Sequence, residues 1–201
     1  MILKLREKIM SKLYFHYAAM NAGKSTLLLQ ASHNYVERGM RTLLLTSSLY
    51  AGDSAISSRL GLSADATLIE ADSDVFEITK IEHAKGKLDC VFVDEVQFLT
   101  SAQVWQLARI ADRLNIPVMC YGLRTDFKGE LFEGAAQLLA IADHLREIRT
   151  ICFCGSKATM VVRKNAEGGV FHSGEQVDIE KSHYVSLCRK HWDDEMQRAA
   201  Q

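Results

Sequence analysis

Hydrophobic positions along much of the chain follow two alternating patterns. Short apolar runs, typical of strands, precede longer segments in which apolar residues recur every three or four positions, as in helices. The runs predict strands over 13–19, 42–46, 88–93 and 117–121, and the periodic segments predict helices over 23–38, 74–84 and 101–114. Some strands are apolar on both faces, which is typical of a parallel sheet covered on both sides. We therefore predict an α/β fold with helices on both faces of a parallel sheet.

The pattern changes after Arg149, where cysteines, glycines and short polar turns replace the periodic segments. A helical period returns only in a brief tail over 191–200. We expect an α/β domain over 11–149 and a smaller second unit over 150–192. Residues 1–10 form an N-terminal extension to which no role is assigned.

The composition restricts the classes of partner. The chain has 201 residues, 48% of them hydrophobic, which suffices for one substantial core and a small appendage. Lysine and arginine number 24 against 25 acidic residues, and this balance argues against nucleic-acid and membrane partners. No apolar run reaches the roughly 18 residues of a membrane span, and an odd number of cysteines fits a reducing compartment. We expect a cytoplasmic protein whose ligand binds in a pocket.

Segment 18–25 has the composition and position of a phosphate-binding loop. It follows a predicted strand and opens a predicted helix, where backbone N–H groups converge on phosphate oxygens. Lys24 would bridge the outer phosphates of ATP, and the Ser25 hydroxyl would bind Mg²⁺. Ala18 stands where the motif has its first glycine, and a chance Gly-Lys-Ser in an ordinary helix is the alternative. The predicted phosphate-binding residues are Ala18, Ala19, Met20, Asn21, Ala22, Gly23, Lys24 and Ser25.

A pair of carboxylates, Asp94 and Glu95, ends the all-apolar strand predicted over 88–93. At the carboxyl end of a parallel strand, Asp94 would lie beside the phosphate loop and share Mg²⁺ with Ser25. Glu95 could then act on the hydroxyl group that attacks the phosphate. The alternative is that both acids are solvated and only cap the strand.

Two short pairs of metal-ligand residues mark the second unit: Cys152 with Cys154, and Cys188 with His191. Three thiolates and one imidazole satisfy tetrahedral zinc, which would stabilise a loop-rich unit with little core. Four protein ligands leave no open position, so the zinc would be structural. Two other histidines of this region could replace His191 as the fourth ligand: His172 and His183.

Five segments carry a family pattern in order along nearly the whole chain. They are 20–26 (MNAGKST), 93–99 (VDEVQFL), 121–132 (YGLRTDFKGELF), 150–155 (TICFCG) and 184–191 (YVSLCRKH). Together they resemble the type II thymidine kinases, the cytosolic zinc-containing class, and particularly its enterobacterial-type members. The joint pattern is far more specific than a phosphate loop alone.

The resemblance implies a P-loop ATP-binding domain followed by a zinc-bearing lasso domain that closes over the nucleoside. It implies a homotetramer that uses ATP and Mg²⁺ to phosphorylate thymidine at its 5′-hydroxyl, in nucleotide salvage for DNA synthesis. Deoxyuridine is expected as a further acceptor and thymidine triphosphate as a feedback ligand. A catalytically weak nucleotide-binding or sensing protein on the same fold is the alternative function.

The resemblance also assigns roles to single residues. Glu95 would take the proton of the 5′-hydroxyl, while Gln97 and Arg163 would join the ATP-binding residues. For the aromatic residues, simple packing is the alternative. The implied nucleoside-binding residues are Met20, Phe98, Leu123, Phe127, Phe132, Val161, Asp178, Ile179 and Tyr184.

Three departures from the family pattern affect the expected activity. Segment 47–54 is short and lacks the arginine of the family's Asp-x-Arg loop, and 178–181 reads Asp-Ile-Glu-Lys where the family has Val-Ile-Gly-Gly. Ala18 is the third and mildest departure. An arginine at the transferring phosphate stabilises the transition state, so we expect slower turnover or weaker binding than in typical members. We expect Arg59 or Arg163 to substitute in part for the missing arginine.

Overall fold

A six-stranded parallel sheet forms the centre of the computed structural model, which describes residues 10–49, 54–176 and 183–199. Its strand order is β5-β2-β6-β7-β1-β8, and every neighbouring pair is parallel. An antiparallel hairpin of β3 and β4 lies outside this sheet. The strands of this region are β1 (Leu13–Ala18), β2 (Thr42–Ser47), β3 (Ala55–Ser57), β4 (Ser63–Asp65), β5 (Thr67–Ile69), β6 (Cys90–Asp94), β7 (Val118–Leu123) and β8 (His144–Glu147).

Helices cover both faces of the sheet, as the apolar strands predict. They are α1 (Lys24–Val36), α2 (Val75–Ala84), α3 (Ser101–Arg109) and α4 (Glu133–Ile141), and a π-helical turn, Ile110–Leu114, continues α3. Successive residues of a strand point to opposite faces. In β6, Phe92 packs with Leu28 of α1, whereas Val93 packs with residues of the other three helices. The predicted α/β sheet is therefore confirmed.

Several elements were absent from the sequence prediction, namely β3, β4, β5, β8 and α4. The three strands that precede α2 have three residues each, which is too short to show a period, and β8 is largely exposed. In α4, Gly134 lies in the first turn and weakens the helical signal. A Cβ atom at Gly134 would lie 2.3 Å from the carbonyl oxygen of Val96, so the close approach of α4 to this turn requires glycine.

Gly134→Ala is expected to lower the free energy of unfolding by about 1–3 kcal/mol, because the added methyl group meets rigid backbone. Gly86→Ala is the matched control, since its Cβ would meet only the Arg41 side chain at an ordinary 3.5 Å. Urea denaturation of both variants measures the difference. Equal stability of the two variants would contradict a clash between the added methyl group and the Val96 carbonyl oxygen.

The C-terminal part is built from short antiparallel pairs and one helix. These elements are β9 (Thr150–Ile151), β10 (Lys157–Ala158), β11 (Met160–Lys164), β12 (His183–Leu187) and α5 (Arg189–Ala199). Their own buried cluster is small: Cys152, Ala158, Val162 and Leu187, with Trp192 and Met196 packed against it. None of the helices among the described residues is both long and apolar enough to cross a membrane.

Candidate active site

The phosphate loop connects the end of β1 to the start of α1. Asn21 and Gly23 have positive φ angles of 62° and 81°, a left-handed conformation that glycine adopts freely and asparagine tolerates. These angles turn the chain so that α1 begins at Lys24, a residue that is only 8% exposed despite its charge. The predicted loop therefore presents a helix N-terminus and one sequestered lysine to the same space.

Asp94 lies at the carboxyl end of β6 beside this loop, and the residue is 3% exposed. Its Oδ1 accepts a hydrogen bond from the backbone N–H of Glu95 at 3.0 Å, and the Ser25 side chain is a second hydrogen-bond partner. Burial, together with the negative charge of Glu95, raises the pKa of Asp94 to about 6. A buried carboxylate next to a hydroxyl is the oxygen donor set that Mg²⁺ prefers, so Ser25 and Asp94 fit the predicted magnesium position.

Glu95 occupies a strained position directly after β6. Its φ angle of 50° is rare for a residue with a side chain, and such strain is typical of functional sites. The amide of Gln97 donates to Glu95 Oε2 at 2.6 Å, and its oxygen accepts from the Leu123 backbone at 3.0 Å. Gln97 is 2% exposed and thus holds the Glu95 carboxylate in place from behind.

A cavity of about 540 Å³ lies over the phosphate loop. Its lining combines the loop, Glu95 and Leu123 with the turn between β3 and β4, of which the sequence had indicated only Arg59. Gly61 within Ser-Ser-Arg-Leu-Gly is a turn signal, but nothing in the sequence indicates which surface that turn faces. The residues contributed by this turn are Ser57, Ser58, Arg59 and Leu60.

The four predicted metal ligands converge in the C-terminal part. One ligand atom from each of Cys152, Cys154, Cys188 and His191 lies within 4.8 Å of all the others. Cys154 Sγ is 4.0 Å from Cys188 Sγ, close to the roughly 3.8 Å between two thiolates on tetrahedral zinc. His191 Nδ1 is 3.3 Å from Cys188 Sγ and 3.4 Å from Cys152 Sγ. The cluster therefore fits a four-coordinate metal ion.

Comparison with known proteins decides the family. The family model for thymidine kinase matches residues 11–192. The chain belongs to the thymidine kinase family. A thymidine kinase of Mesorhizobium japonicum is 63% identical over 95% of each chain. One of Rhizobium etli is 59% identical over 94% of this chain and 97% of its own.

Two further likenesses are more distant. A thymidine kinase of Rhizobium meliloti is 58% identical over 93% of this chain and 98% of its own. Among solved structures, an ATPase domain is similar with a TM-score of 0.49 and 14% identity, over 90% of this chain and 82% of that chain.

The aromatic residues that the thymidine kinase resemblance assigns to the nucleoside differ in exposure. Phe98 is partly buried and meets Phe132 edge to face, with ring centroids 5.7 Å apart. Phe132 is 5% exposed and Phe127 is 1% exposed, so both pack in the interior in this structure. Of these three rings, Phe98 offers the most surface to a ligand.

Arg163 does not line the cavity over the phosphate loop in the described structure. Its guanidinium carbon lies 4.3 Å from the ring centroid of Phe127 and 4.6 Å from that of Phe171. Its Nη1 donates to the backbone oxygen of Glu175 at 3.0 Å. A guanidinium between two aromatic faces is held by cation–π attraction, which explains its 4% exposure.

The remaining nucleoside-binding predictions divide between described and undescribed parts of the chain. Asp178 and Ile179 lie outside the described residues. Met20 lines the cavity, and Val161 is buried at 3% exposure, its carbonyl accepting a hydrogen bond from the Trp192 indole at 3.1 Å. Tyr184, on β12, is partly buried.

The strand β12 is hydrogen-bonded to the phosphate loop. The side-chain amide of Asn21 donates to the Tyr184 backbone oxygen at 3.2 Å. The Ser186 hydroxyl donates to the backbone oxygen of Met20. The C-terminal part and the loop that would hold ATP are therefore in direct contact.

Proposed function

We propose that this thymidine kinase family member transfers the γ-phosphoryl group of ATP to the 5′-hydroxyl of thymidine, giving thymidine monophosphate. The observation that carries the proposal is that Glu95 lines the same cavity as the phosphate loop. A general base and the phosphates of ATP can thus contact the same small substrate within one cavity. The high identity to several thymidine kinases selects thymidine as the acceptor.

The phosphate side of the reaction rests on the loop and on Asp94. Backbone N–H groups at the start of α1 and the Lys24 ammonium bind the β- and γ-phosphates and hold them in line with the acceptor. Ser25 and Asp94 would hold the Mg²⁺ that accompanies ATP. When bound, that ion neutralises phosphate charge. Gln97 acts in this proposal through Glu95 rather than on the phosphates, because its amide already bonds that carboxylate.

Glu95 is the general base of the proposed reaction. Its carboxylate accepts the proton of the 5′-hydroxyl while that oxygen attacks the γ-phosphorus. The hydrogen bond from Gln97 at 2.6 Å fixes one carboxylate oxygen, which leaves the other for the substrate. A general base typically contributes about 10²- to 10⁴-fold to the rate when it is placed in this way.

The nucleoside side is formed by the cavity wall and the C-terminal part. The apolar surface for the thymine comes from Met20, Leu123 and Phe98. Tyr184 approaches the thymine from β12. A layer of buried residues packs behind this surface: Phe127, Phe132 and Val161. We propose that the unit over 150–192 closes over the nucleoside as a lasso, with Asp178 and Ile179 in contact with it. Such closure excludes water and so protects ATP from hydrolysis.

The metal cluster of this proposed unit would hold structural zinc. Backbone hydrogen bonds outweigh the opposing effect of burial and lower the pKa of Cys152 to about 6, which favours the thiolate that zinc requires. All four ligands come from the protein, so the ion would have no position for a substrate. We further propose a cytoplasmic homotetramer acting in nucleotide salvage, with deoxyuridine as a second acceptor and thymidine triphosphate as feedback inhibitor.

A nucleoside panel tests the proposed reaction. Purified protein with Mg²⁺ and ATP is expected to release ADP in the presence of thymidine, with thymidine monophosphate identified by mass spectrometry. 5′-Deoxythymidine is the matched control, because it keeps the base and sugar but lacks the acceptor hydroxyl. ATP binding without any thymidine-dependent ADP release would overturn the proposal and favour a nucleotide sensor.

A further inference from the structure

The turn between β3 and β4 is a fixed part of the cavity wall. The Ser58 backbone oxygen accepts from the Gly61 N–H at 3.0 Å, and the Ser58 hydroxyl accepts from the Leu62 N–H at 3.2 Å. Gly61 has a φ angle of 81°, which closes the turn. The base of the hairpin is anchored by Ile56, which is 2% exposed and packs with the cluster that contains Leu28. The tip is therefore held in place by the core of the domain.

Arg59 stands at this tip and lines the same cavity as the phosphate loop. Its side chain is exposed, and no ion pair involves it within residues 10–49, 54–176 and 183–199. Among the described residues that line the cavity, Arg59 is the sole arginine and Lys24 the sole lysine. The guanidinium is thus available to a ligand.

A bound nucleotide presents more negative charge than Lys24 and the proposed Mg²⁺ balance, which favours a further cation in the cavity. A triphosphate brings several negative charges next to Glu95 and Asp94, whereas the loop itself supplies only Lys24 as a full positive charge. In the transition state of phosphoryl transfer, charge is spread over the equatorial oxygens of the moving group. A guanidinium suits this distribution, because its planar fork donates to two oxygens at once.

We propose that Arg59 donates hydrogen bonds to the ATP phosphates and stabilises the transferring phosphoryl group, which makes the β3–β4 hairpin part of the kinase site. This inference rests on the proposed function for its chemistry. The short segment 47–54 contains no arginine, so the hairpin supplies the guanidinium that this side of the cavity would otherwise lack. Lys24 and Arg59 then approach the phosphates from two different elements.

Arg59→Met is expected to lower the kcat for thymidine phosphorylation by about 10³-fold, the lower end of what a phosphate-stabilising arginine contributes in other phosphoryl-transfer enzymes. The KM for thymidine should change little, because the guanidinium does not contact the nucleoside in this proposal. Arg59→Lys should recover part of the rate, since it restores the charge but not the bidentate fork. Arg38→Met is the matched control, an exposed arginine beyond the end of α1.

Binding of Mg²⁺ and a non-hydrolysable ATP analogue, measured by titration calorimetry, separates this inference from the proposed reaction. Suppose that the wild type is inactive with thymidine, but that Arg59→Met binds the analogue more weakly and Arg38→Met does not. The role of Arg59 in phosphate binding would then stand, and the proposed reaction would be overturned. Conversely, an active wild type with kcat and analogue affinity equal in both variants would overturn the role of Arg59. Thermal unfolding confirms that all variants are folded, as expected for an exposed side chain.

Discussion

Replacing Glu95 with glutamine is expected to lower the kcat for thymidine phosphorylation by about 10²- to 10⁴-fold. The amide keeps the shape of the side chain but cannot accept the proton of the 5′-hydroxyl. Its oxygen can still receive the hydrogen bond from Gln97, so the strained turn after β6 should remain folded. Steady-state kinetics with saturating ATP measures the loss.

Two controls accompany this variant: binding of a nucleotide analogue, and the same substitution at a second glutamate. Binding of a Mg²⁺–ATP analogue should stay close to the wild-type value, since the phosphate loop is unchanged. Glu167→Gln makes the same chemical change at an exposed position after β11 and should leave kcat unaltered. Wild-type rates in Glu95→Gln would remove Glu95 from the mechanism, whatever the binding result.

The second large effect is expected at the metal cluster. Cys188→Ser should release most of the zinc, which we expect at about one ion per chain in the wild type, and should unfold the C-terminal part before the sheet. Structural zinc supplies apparent free energies of about 10–16 kcal/mol at neutral pH, whereas the buried cluster around Val162 is small. Loss of the ion therefore removes the main source of local stability.

Two tryptophans allow this order of unfolding to be measured. Trp192 belongs to the C-terminal part and donates to the Phe127 and Val161 carbonyls, whereas Trp105 lies on α3. The Cys188→Ser variant is made in a Trp105→Phe background, so that Trp192 is the remaining tryptophan. Its fluorescence should change at a lower urea concentration than the far-ultraviolet circular dichroism, which reports mainly the helices and strands of the α/β part. Cys120→Ala, a buried cysteine outside the cluster, should keep its zinc. Freshly purified wild type without zinc would contradict the assignment.

The parts of the site that could be predicted are those whose functional residues lie close together in the sequence. The phosphate loop and the Asp94–Glu95 strand end each lie within a few residues, and apolar runs place them on neighbouring elements. The candidate metal ligands likewise form two local pairs, and the structure brings His191, rather than His172 or His183, next to the three cysteines. In each case the residue types carry the signal by themselves.

The unpredicted parts depend on contacts between distant segments. The hydrogen bond between Leu123 and Gln97 joins residues 26 positions apart, and neither residue type predicts it. Arg163 has its position because Phe127 and Phe171, from different parts of the chain, surround its guanidinium. Arg59 was expected as a substitute for the missing arginine, but the hairpin that carries it was not predicted, since three-residue strands show no period that reveals their direction.

The contact between β12 and the phosphate loop has a consequence for evolution. Both hydrogen bonds end on backbone oxygens, those of Tyr184 and Met20, so the acceptors persist whatever side chains occupy these two positions. The donors Asn21 and Ser186, in contrast, are tied to their side chains. In the proposed reaction, substitutions at 20 and 184 would therefore change the side chains offered to the nucleoside while these two hydrogen bonds keep the segments joined.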